Sequence, residues 1–328
     1  MFCSVHRWRF LCGVLALSLS VIASATQSAG TVVAKSTTQA RVNTPEQDRR
    51  HLTAILQKRF PALAMDDWSQ GAQAISPTLL VTPLGGANAT NVNDILAIGQ
   101  KQWSRKFKNT KTFADCFAGK GKREVKNQTR LTAAGYPFYD EFSGAVVTIE
   151  MALQRCLISN GEAAMGITTE DEQRQMGALI AYFRHLSVGQ KLAVKVASPG
   201  ALARYQAGRD WFSRRLGDKD KACASCHVLS AGQTVDGLTY APAIGQVLAW
   251  PRMVYGVAPD TGLRRLQQQF QRCMLRVGAE PFQLNSPEYN DLEYFLSAIS
   301  NGLTLRPPIR TESAISVGKP SPSAEKRQ

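Results

Sequence analysis

The chain is 328 residues long and carries 39 Lys and Arg against 25 Asp and Glu, a formal net charge of +14. That length is enough for two domains of ordinary size, and beyond the N-terminal region no segment approaches the roughly 20 uninterrupted apolar residues of a membrane helix. The positive charge is spread along the chain, which fits a solvated basic surface or an attraction for small dianions and acidic proteins. Nucleic acid is excluded as a partner because no recognised binding module is present.

The N-terminal segment has the pattern of a secretory signal peptide. Arg7 and Arg9 precede an apolar run over residues 10–22, and a small-residue cleavage site ends at Ala25. The apolar run is too short to span a membrane comfortably. We therefore expect cleavage near Ala25 and export to the periplasm, with a disordered linker over residues 26–44.

Helical signals dominate the chain after the linker, and strand alternation is scarce. Thr44 is placed to cap a helix near residues 45–58, which begins with a first-turn proline. Thr169 and Glu172 form a capping-box pattern, and Ser286 precedes a further proline-initiated helix. The sequence therefore predicts a mainly α fold.

Three pairs of segments recur in the same order along the chain. Residues 99–116 parallel residues 208–223, LQRCLISNGE around Cys156 parallels FQRCMLRVGAE around Cys273, and AYFRHLS parallels EYFLSAIS. Chance could produce one such match but hardly three in register, so the pattern indicates a duplicated domain. We predict tandem domains over residues 45–195 and 196–310, followed by a disordered tail over residues 311–328.

The second half contains the sequence Cys223-Ala224-Ser225-Cys226-His227. In such a CxxCH motif the two thiols add to the vinyl groups of a haem, and the histidine ligates its iron. A zinc site would need two further Cys or His ligands at suitable spacing, and none lies nearby. We therefore predict a cytochrome c-like second domain with one covalent c-type haem, bound by Cys223 and Cys226 and ligated by His227.

The first half has lost this motif. At the positions that match Cys226 and His227 of the second half, the first half has Gly119 and Lys120. We therefore predict that the first domain is also cytochrome c-like but haemless. Its cysteines, Cys116 and Cys156, fall near positions that would both face a haem, so we expect them to form a disulfide.

Five cysteines remain after signal cleavage, an odd number that leaves one thiol without a disulfide partner in an oxidising compartment. The candidates for the second axial position on the iron are Cys273, Met253, Met274, His185 and His51. Leu263, Leu266, Phe270, Cys273 and Val277 recur at intervals of three and four, which places Cys273 on the apolar face of a helix. This favours Cys273 as the ligand or as a reactive thiol. The alternative is that Cys273 is a small buried hydrophobe, the commonest role of a free cysteine.

Longer segments carry a family resemblance. In the second half they are KACASCHV, IGQVLAWP, RCMLRVGAEPF, SPEYNDLEYFLSAISNGL and RPPIR, and in the first half YPFYDEFSGAVVTIEMALQRC and LIAYFRHLS. Together they resemble the SoxA family, and in particular its single-haem branch, in which a disulfide replaces the first haem. The resemblance covers most of the mature chain. It implies an L-cysteine S-thiosulfotransferase that joins thiosulfate oxidatively to a carrier-protein cysteine and passes electrons to cytochrome c.

The same resemblance implies partners and a catalytic residue. The partners are a small monohaem cytochrome like SoxX and a carrier protein like SoxYZ. The catalytic residue of the family falls on Cys273, which would ligate the iron and often carries a persulfide. A thiolate beside a cation is a strong nucleophile, so this role is chemically consistent.

Two positions depart from the family pattern. The family usually has arginines four residues before and five residues after the catalytic cysteine, where this chain has Gln269 and Gly278. Since Arg272 and Arg276 lie nearby, we name Gln269, Arg272 and Arg276 as candidate substrate contacts. The missing arginines favour a second hypothesis, an electron-transfer c-type cytochrome with weakened or lost thiosulfate coupling. A thiosulfate dehydrogenase would usually have a second haem, which the first domain argues against.

Overall fold

The computed structural model describes residues 43–75, 92–117, 132–235, 238–254, 262–306 and 311–312. The predicted signal peptide, the linker up to residue 42, Gly119 and Lys120, and the tail beyond residue 312 lie outside the described residues. Within the described ranges, no helix combines the length and the apolar character that crossing a membrane requires.

Helices make up most of the described secondary structure, so the predicted mainly α fold is confirmed. The α-helices are α1 (Pro45–Arg59), α2 (Ala72–Ile75), α3 (Val92–Ser104), α4 (Phe113–Phe117), α5 (Ile149–Ser159), α6 (Glu170–His185), α7 (Pro199–Ser213), α8 (Leu266–Arg276) and α9 (Pro287–Ala298). Short 3-10 segments cover Met65–Gln70, Ala133–Gly135 and Gln246–Ala249, and a π-helical turn covers Ser225–Leu229.

The strands are only two or three residues long. They are β1 (Phe138–Asp140), β2 (Ala145–Val147), β3 (Thr234–Val235), β4 (Leu238–Thr239), β5 (Arg252–Val254), β6 (Gly262–Arg264) and β7 (Thr311–Glu312). β1 pairs with β2 and β3 with β4, both antiparallel. β5 lies between antiparallel β6 and parallel β7. The β6 strand leads directly into α8, and this junction positions part of the site described below.

Side-chain caps fix where α1, α6 and α9 begin. Thr44 Oγ1 accepts a hydrogen bond from Gln47 N at 3.2 Å, and Gln47 Oε1 accepts one from Thr44 N at 2.8 Å. Thr169 and Glu172 make the same reciprocal pair at the start of α6, and Ser286 Oγ accepts from the backbone at the start of α9. These contacts satisfy N–H groups that the first turn of a helix leaves unpaired. The three predicted helix starts are confirmed.

Two close helix crossings depend on glycine. A Cβ added to Gly99 of α3 would lie 2.2 Å from the carbonyl oxygen of Ala178 in α6. A Cβ added to Gly208 of α7 would lie 1.9 Å from the carbonyl oxygen of Asp291 in α9. A side chain at either position would therefore force the helices apart. Gly99 and Gly208 are also the matching first residues of the sequence repeat, so both halves contain the same kind of crossing.

The N-terminal helix contacts the second half of the chain. Arg59 at the end of α1 donates to the carbonyl oxygen of Val228 at 2.7 Å. The Tyr205 hydroxyl of α7 donates to Asp48 Oδ2 of α1 at 3.0 Å. From Asn43 onward the described residues form one compact unit, whose main apolar core draws on both halves. The division into two domains near residue 195 therefore stays a prediction.

Aromatic side chains fill the core of the first half. Trp103 lies 6.0 Å from Phe113, 5.5 Å from Phe117 and 5.2 Å from Phe183, measured between ring centroids. Phe117 and Phe183 are 4.7 Å apart. A disulfide joins Cys116 of α4 to Cys156 of α5, the pair expected from the sequence, with 6.1 Å between the Cα atoms. The disulfide and these aromatic contacts tie together α3, α4, α5 and α6.

Candidate haem site and its sulfur centre

The CxxCH motif follows α7 and lies on one wall of a large cleft. Cys223, Cys226 and His227 are half-buried and all three line it. His227 Nδ1 lies 2.8 Å from the carbonyl oxygen of Ala241. Since a carbonyl can only accept, Nδ1 carries the proton and Nε2 is the nitrogen available to a metal. Burial lowers the pKa of His227, which favours the neutral ring that iron binds.

Helix α8 forms the facing part of this cleft. Its lining residues include Leu266, Phe270 and Cys273, members of the apolar stripe predicted from the sequence. The structure therefore brings Cys273 into the same cleft as the CxxCH motif. Leu263, the first residue of the predicted stripe, lies on β6 and not on the helix, because the helix begins only at Leu266. Burial raises the pKa of Cys223 to about 12, and the negative charge of a Cys273 thiolate acts in the same direction.

The cleft has the wall chemistry that a porphyrin requires. It is open at its mouth, and the empty space within it, open solvent included, is about 1380 Å³. Its walls are mainly apolar and aromatic. Among the described residues, the aromatic and large aliphatic ones that line it are Trp211, Phe212, Leu216, Tyr240, Trp250, Leu266, Phe270, Met274, Val277, Phe282, Tyr289, Leu292 and Leu296.

A few polar groups complete the cleft and fit the acidic edge of a haem. Trp250 is buried, and among the described residues its indole Nε1 finds no hydrogen-bond partner. An orphaned buried donor of this kind is costly unless a ligand accepts from it. Arg252 is buried on the same wall, and Lys221 lies at the cleft as well. The two thiols, the imidazole, the apolar walls and these donors together suit a covalently attached haem.

Two side chains accompany the Cys273 sulfur. Gln269 Nε2 donates to Cys273 Sγ at 3.5 Å, and Arg264 Nη1 donates to Gln269 Oε1 at 3.0 Å. Burial raises the pKa of the Cys273 thiol, while the charge of Arg276, the Gln269 hydrogen bond and the charge of Arg264 pull it down. The sulfur therefore lies in a mainly apolar pocket with positive charge nearby.

The structure separates the predicted substrate contacts into two groups. Gln269 and Arg276 line the cleft with Cys273, whereas Arg272 is not among the described residues that line it. Gly278 has a φ of +75°, and a Cβ there would lie 2.9 Å from Asp218 Oδ2. An arginine at position 278 would therefore strain the backbone that ends α8. No sequence signal indicated a role for Arg264, which lies outside the motifs and precedes α8. Trp250 stands in the segment IGQVLAWP, but nothing in that segment indicated a role for its side chain.

The other candidate axial ligands are less well placed. Met274 lines the cleft, but its sulfur accepts a hydrogen bond from the Tyr289 hydroxyl at 3.2 Å. His51 on α1 and His185 on α6 are exposed, and neither is among the lining residues. The side chain of Met253 lies outside the described residues.

A buried ionic cluster adjoins the cleft. Glu293 of α9 accepts from Gln267 Nε2 at 3.2 Å, and Arg265 pairs with Glu150 of α5. The charge of Arg184 favours ionised Glu293 and that of Glu150 opposes it, yet burial dominates and raises the pKa of Glu293 to about 7. The cluster therefore contains a carboxyl group that titrates near neutral pH.

We expect the replacement Glu293→Gln to remove a pH dependence of stability. The pKa of Glu293 is about 7 in the folded chain, above its ordinary value of 4.5. Between these two pH values the folded state therefore binds more protons than the unfolded state. Wild-type stability should therefore fall, relative to the variant, as pH rises through this window. Urea unfolding measures this effect. From about pH 5 to about pH 8, the free energy of unfolding of wild type should fall by up to about 3 kcal/mol more than that of the variant. A difference between the two proteins that does not vary with pH would contradict this expectation.

Comparison with known proteins agrees with this geometry. The family model described as SoxA/TsdA, cytochrome c domain, matches residues 98–192. The SoxA subunit of L-cysteine S-thiosulfotransferase from Allochromatium vinosum is 29% identical over 296 residues, which span 89% of this chain and 96% of that subunit. The chain resembles SoxA along most of its length. The resemblance to the SoxA family predicted from the sequence is confirmed.

Further SoxA proteins support the same relation. The SoxA subunit from Chlorobaculum tepidum is 28% identical over 265 residues, which cover 80% of this chain and 86% of that one. A crystal structure of SoxXA from P. pantotrophus aligns with a TM-score of 0.53 at 22% identity, over 66% of this chain and 77% of the solved chain. The likeness to SoxXA is one of fold. The SoxA/TsdA match lies in the first half and includes Cys116 and Cys156. A match to a cytochrome c domain implies a c-type haem.

Proposed function

We propose that this chain is the haem subunit of an exported L-cysteine S-thiosulfotransferase, an enzyme that joins thiosulfate to a cysteine of a carrier protein. The observation that supports this proposal most strongly is that Cys273 lies in the same cleft as Cys223, Cys226 and His227. The SoxA relatives support this activity, since their names give it and they match most of the chain. The predicted signal peptide supports a periplasmic location.

The site residues divide the chemistry between them. Cys223 and Cys226 would hold one haem covalently, and His227 Nε2 would ligate its iron. When bound, the haem would supply one-electron redox chemistry at this site. The Cys273 thiolate and the outer sulfur of thiosulfate would be joined by one S–S bond in a two-electron oxidation, and two molecules of oxidised cytochrome c would each take up one of the electrons. The carrier cysteine thiolate then attacks that sulfur, takes the thiosulfate group and regenerates the Cys273 thiolate.

The proposed partners follow from this scheme. A small monohaem cytochrome like SoxX, a carrier like SoxYZ and an electron-acceptor cytochrome c complete the reaction. The fold likeness to SoxXA supports the first of these. The disulfide between Cys116 and Cys156 and the aromatic core of the first half support one haem per chain.

A second candidate function is electron transfer alone. Gln269 and Gly278 replace the two family arginines, and the strained position of residue 278 leaves no easy place for the second. Such a protein would keep its haem and exchange electrons with a partner cytochrome without modifying a carrier.

One assay separates the two functions. The purified holoprotein is mixed with its monohaem partner, the carrier, thiosulfate and oxidised cytochrome c, and the carrier is then weighed by mass spectrometry. The enzyme should add one thiosulfate group to the carrier cysteine and reduce two cytochrome c molecules for each carrier modified. Electron exchange with an unmodified carrier would instead support the second function.

A further inference from the structure

A chain of two hydrogen bonds links a cation to the Cys273 sulfur. Arg264 is the last residue of β6, and its Nη1 donates to Gln269 Oε1 at 3.0 Å. Gln269 lies one helical turn before Cys273 on α8, and its Nε2 donates to Sγ at 3.5 Å. The guanidinium thus reaches the sulfur through an amide rather than directly.

The guanidinium decides which end of the amide faces the sulfur. An amide has one acceptor end and one donor end, whereas a guanidinium only donates. While Arg264 holds Oε1, the NH₂ end must point toward Cys273. Without Arg264 the amide is free to turn, and its oxygen would then oppose the negative charge of a thiolate.

The hydrogen-bonded pair of Arg264 and Gln269 adds to the positive charge of the cleft. Thiosulfate is a dianion and the attacking sulfur is an anion, so their approach needs compensating positive charge. In the part of the chain that the structure describes, the cleft is lined by the charged residues Lys221, Arg252, Arg276 and Glu288, three cations and one acid. Arg264 lies behind Gln269 and adds a further positive charge on the side of the sulfur where the chain has a neutral amide.

We propose that Arg264 is a positioning residue for the sulfur chemistry of Cys273, acting through Gln269. It fixes the Gln269 amide as a hydrogen-bond donor to Sγ, and it brings to this side of the sulfur a positive charge that residue 269 itself lacks. This inference rests on the proposed function and assigns a role to a residue that lies outside both the haem motif and the lining of the cleft.

A double-mutant cycle tests the proposal in the holoprotein. Arg264→Met and Gln269→Leu should each lower kcat/KM for thiosulfate by about 10-fold to 100-fold, as loss of such supporting contacts commonly does. Because the two residues act in series, the double variant should be no worse than the poorer single variant. Arg264→Lys keeps one donor and the charge, and it should recover part of the activity. Losses that multiply in the double variant would overturn the relay.

A second variant separates orientation from mere contact. Gln269→Glu keeps the contact with Arg264 but removes both N–H donors, so it should lose as much activity as Gln269→Leu. Full activity in Gln269→Glu would overturn the role of the donated hydrogen bond. The control is Arg155→Met, which breaks a surface ion pair with Asp140 at 3.0 Å and removes the same charge away from the cleft. Its activity should match wild type.

Spectra provide a readout that does not depend on turnover. Loss of the hydrogen bond to the sulfur should change the haem absorption and electron paramagnetic resonance spectra of Arg264→Met, while Arg155→Met keeps the wild-type spectra. Unchanged spectra and unchanged kcat/KM in Arg264→Met would overturn the proposal. Should wild type fail to modify the carrier, the proposed function is wrong. In that case the spectra of Arg264→Met alone test the role of Arg264. A change from the wild-type spectra would support it, and unchanged spectra would overturn it.

Discussion

Replacing Cys273 by alanine should abolish thiosulfate coupling and leave the covalent haem in place. In the proposed site Cys223 and Cys226 make the attachment and lie outside α8, so truncation of a side chain on α8 would remove no covalent bond to the haem. The nucleophile of the reaction is lost, and turnover should fall by at least about a thousandfold. Carrier mass after incubation with thiosulfate measures the activity, and the mass of the chain itself measures haem retention.

Two further variants make this result specific. Cys273→Ser keeps the size of the side chain but has no sulfur, so it should be as inactive as the alanine variant. Leu275→Ala changes an exposed residue two positions along α8 and should keep wild-type activity. Carrier modification at an unchanged rate in Cys273→Ala would remove the proposed sulfur centre and leave an electron carrier.

Local sequence signals predicted the helices well. Thr44, Thr169 and Ser286 each cap a helix where the sequence placed it, because a cap acts within three or four residues of its own position. The contact of α1 with the second half was not predictable in this way. It depends on pairs such as Tyr205 with Asp48, which are 157 residues apart and show no pattern in the sequence.

The same distinction explains the outcome at the site. Cys273 could be predicted as a candidate because its stripe repeats at helical intervals, and Cys223 and Cys226 because two cysteines at this spacing before a histidine are typical of haem attachment; the structure places all three in one cleft. Arg264 was missed because it precedes α8 on a strand and meets Gln269 only once β6 has turned into the helix. Trp250 stood in a segment that resembles SoxA, yet only the fold shows that its indole N–H lacks a partner among the described residues.

Removing the disulfide between Cys116 and Cys156 should destabilise the chain strongly without changing its haem. Forty residues separate the two cysteines, and closing a loop of that length is worth about 4 kcal/mol through the entropy of the unfolded state. The double variant Cys116→Ala with Cys156→Ala leaves no unpaired thiol in the first half. Its unfolding midpoint in denaturant should fall well below that of wild type, and wild type treated with a reductant should approach the same midpoint.

The pattern of losses then shows what the disulfide does. The Cys116–Cys156 bond joins α4 to α5 beside Phe117 and Phe183, in a half of the chain that has no CxxCH motif. Its loss should therefore leave the absorption spectrum of the haem unchanged in the folded protein, whereas Cys273→Ala should change that spectrum and leave the midpoint nearly unchanged. A fall of less than about 1 kcal/mol in the double variant would mean that the aromatic core alone holds this half together.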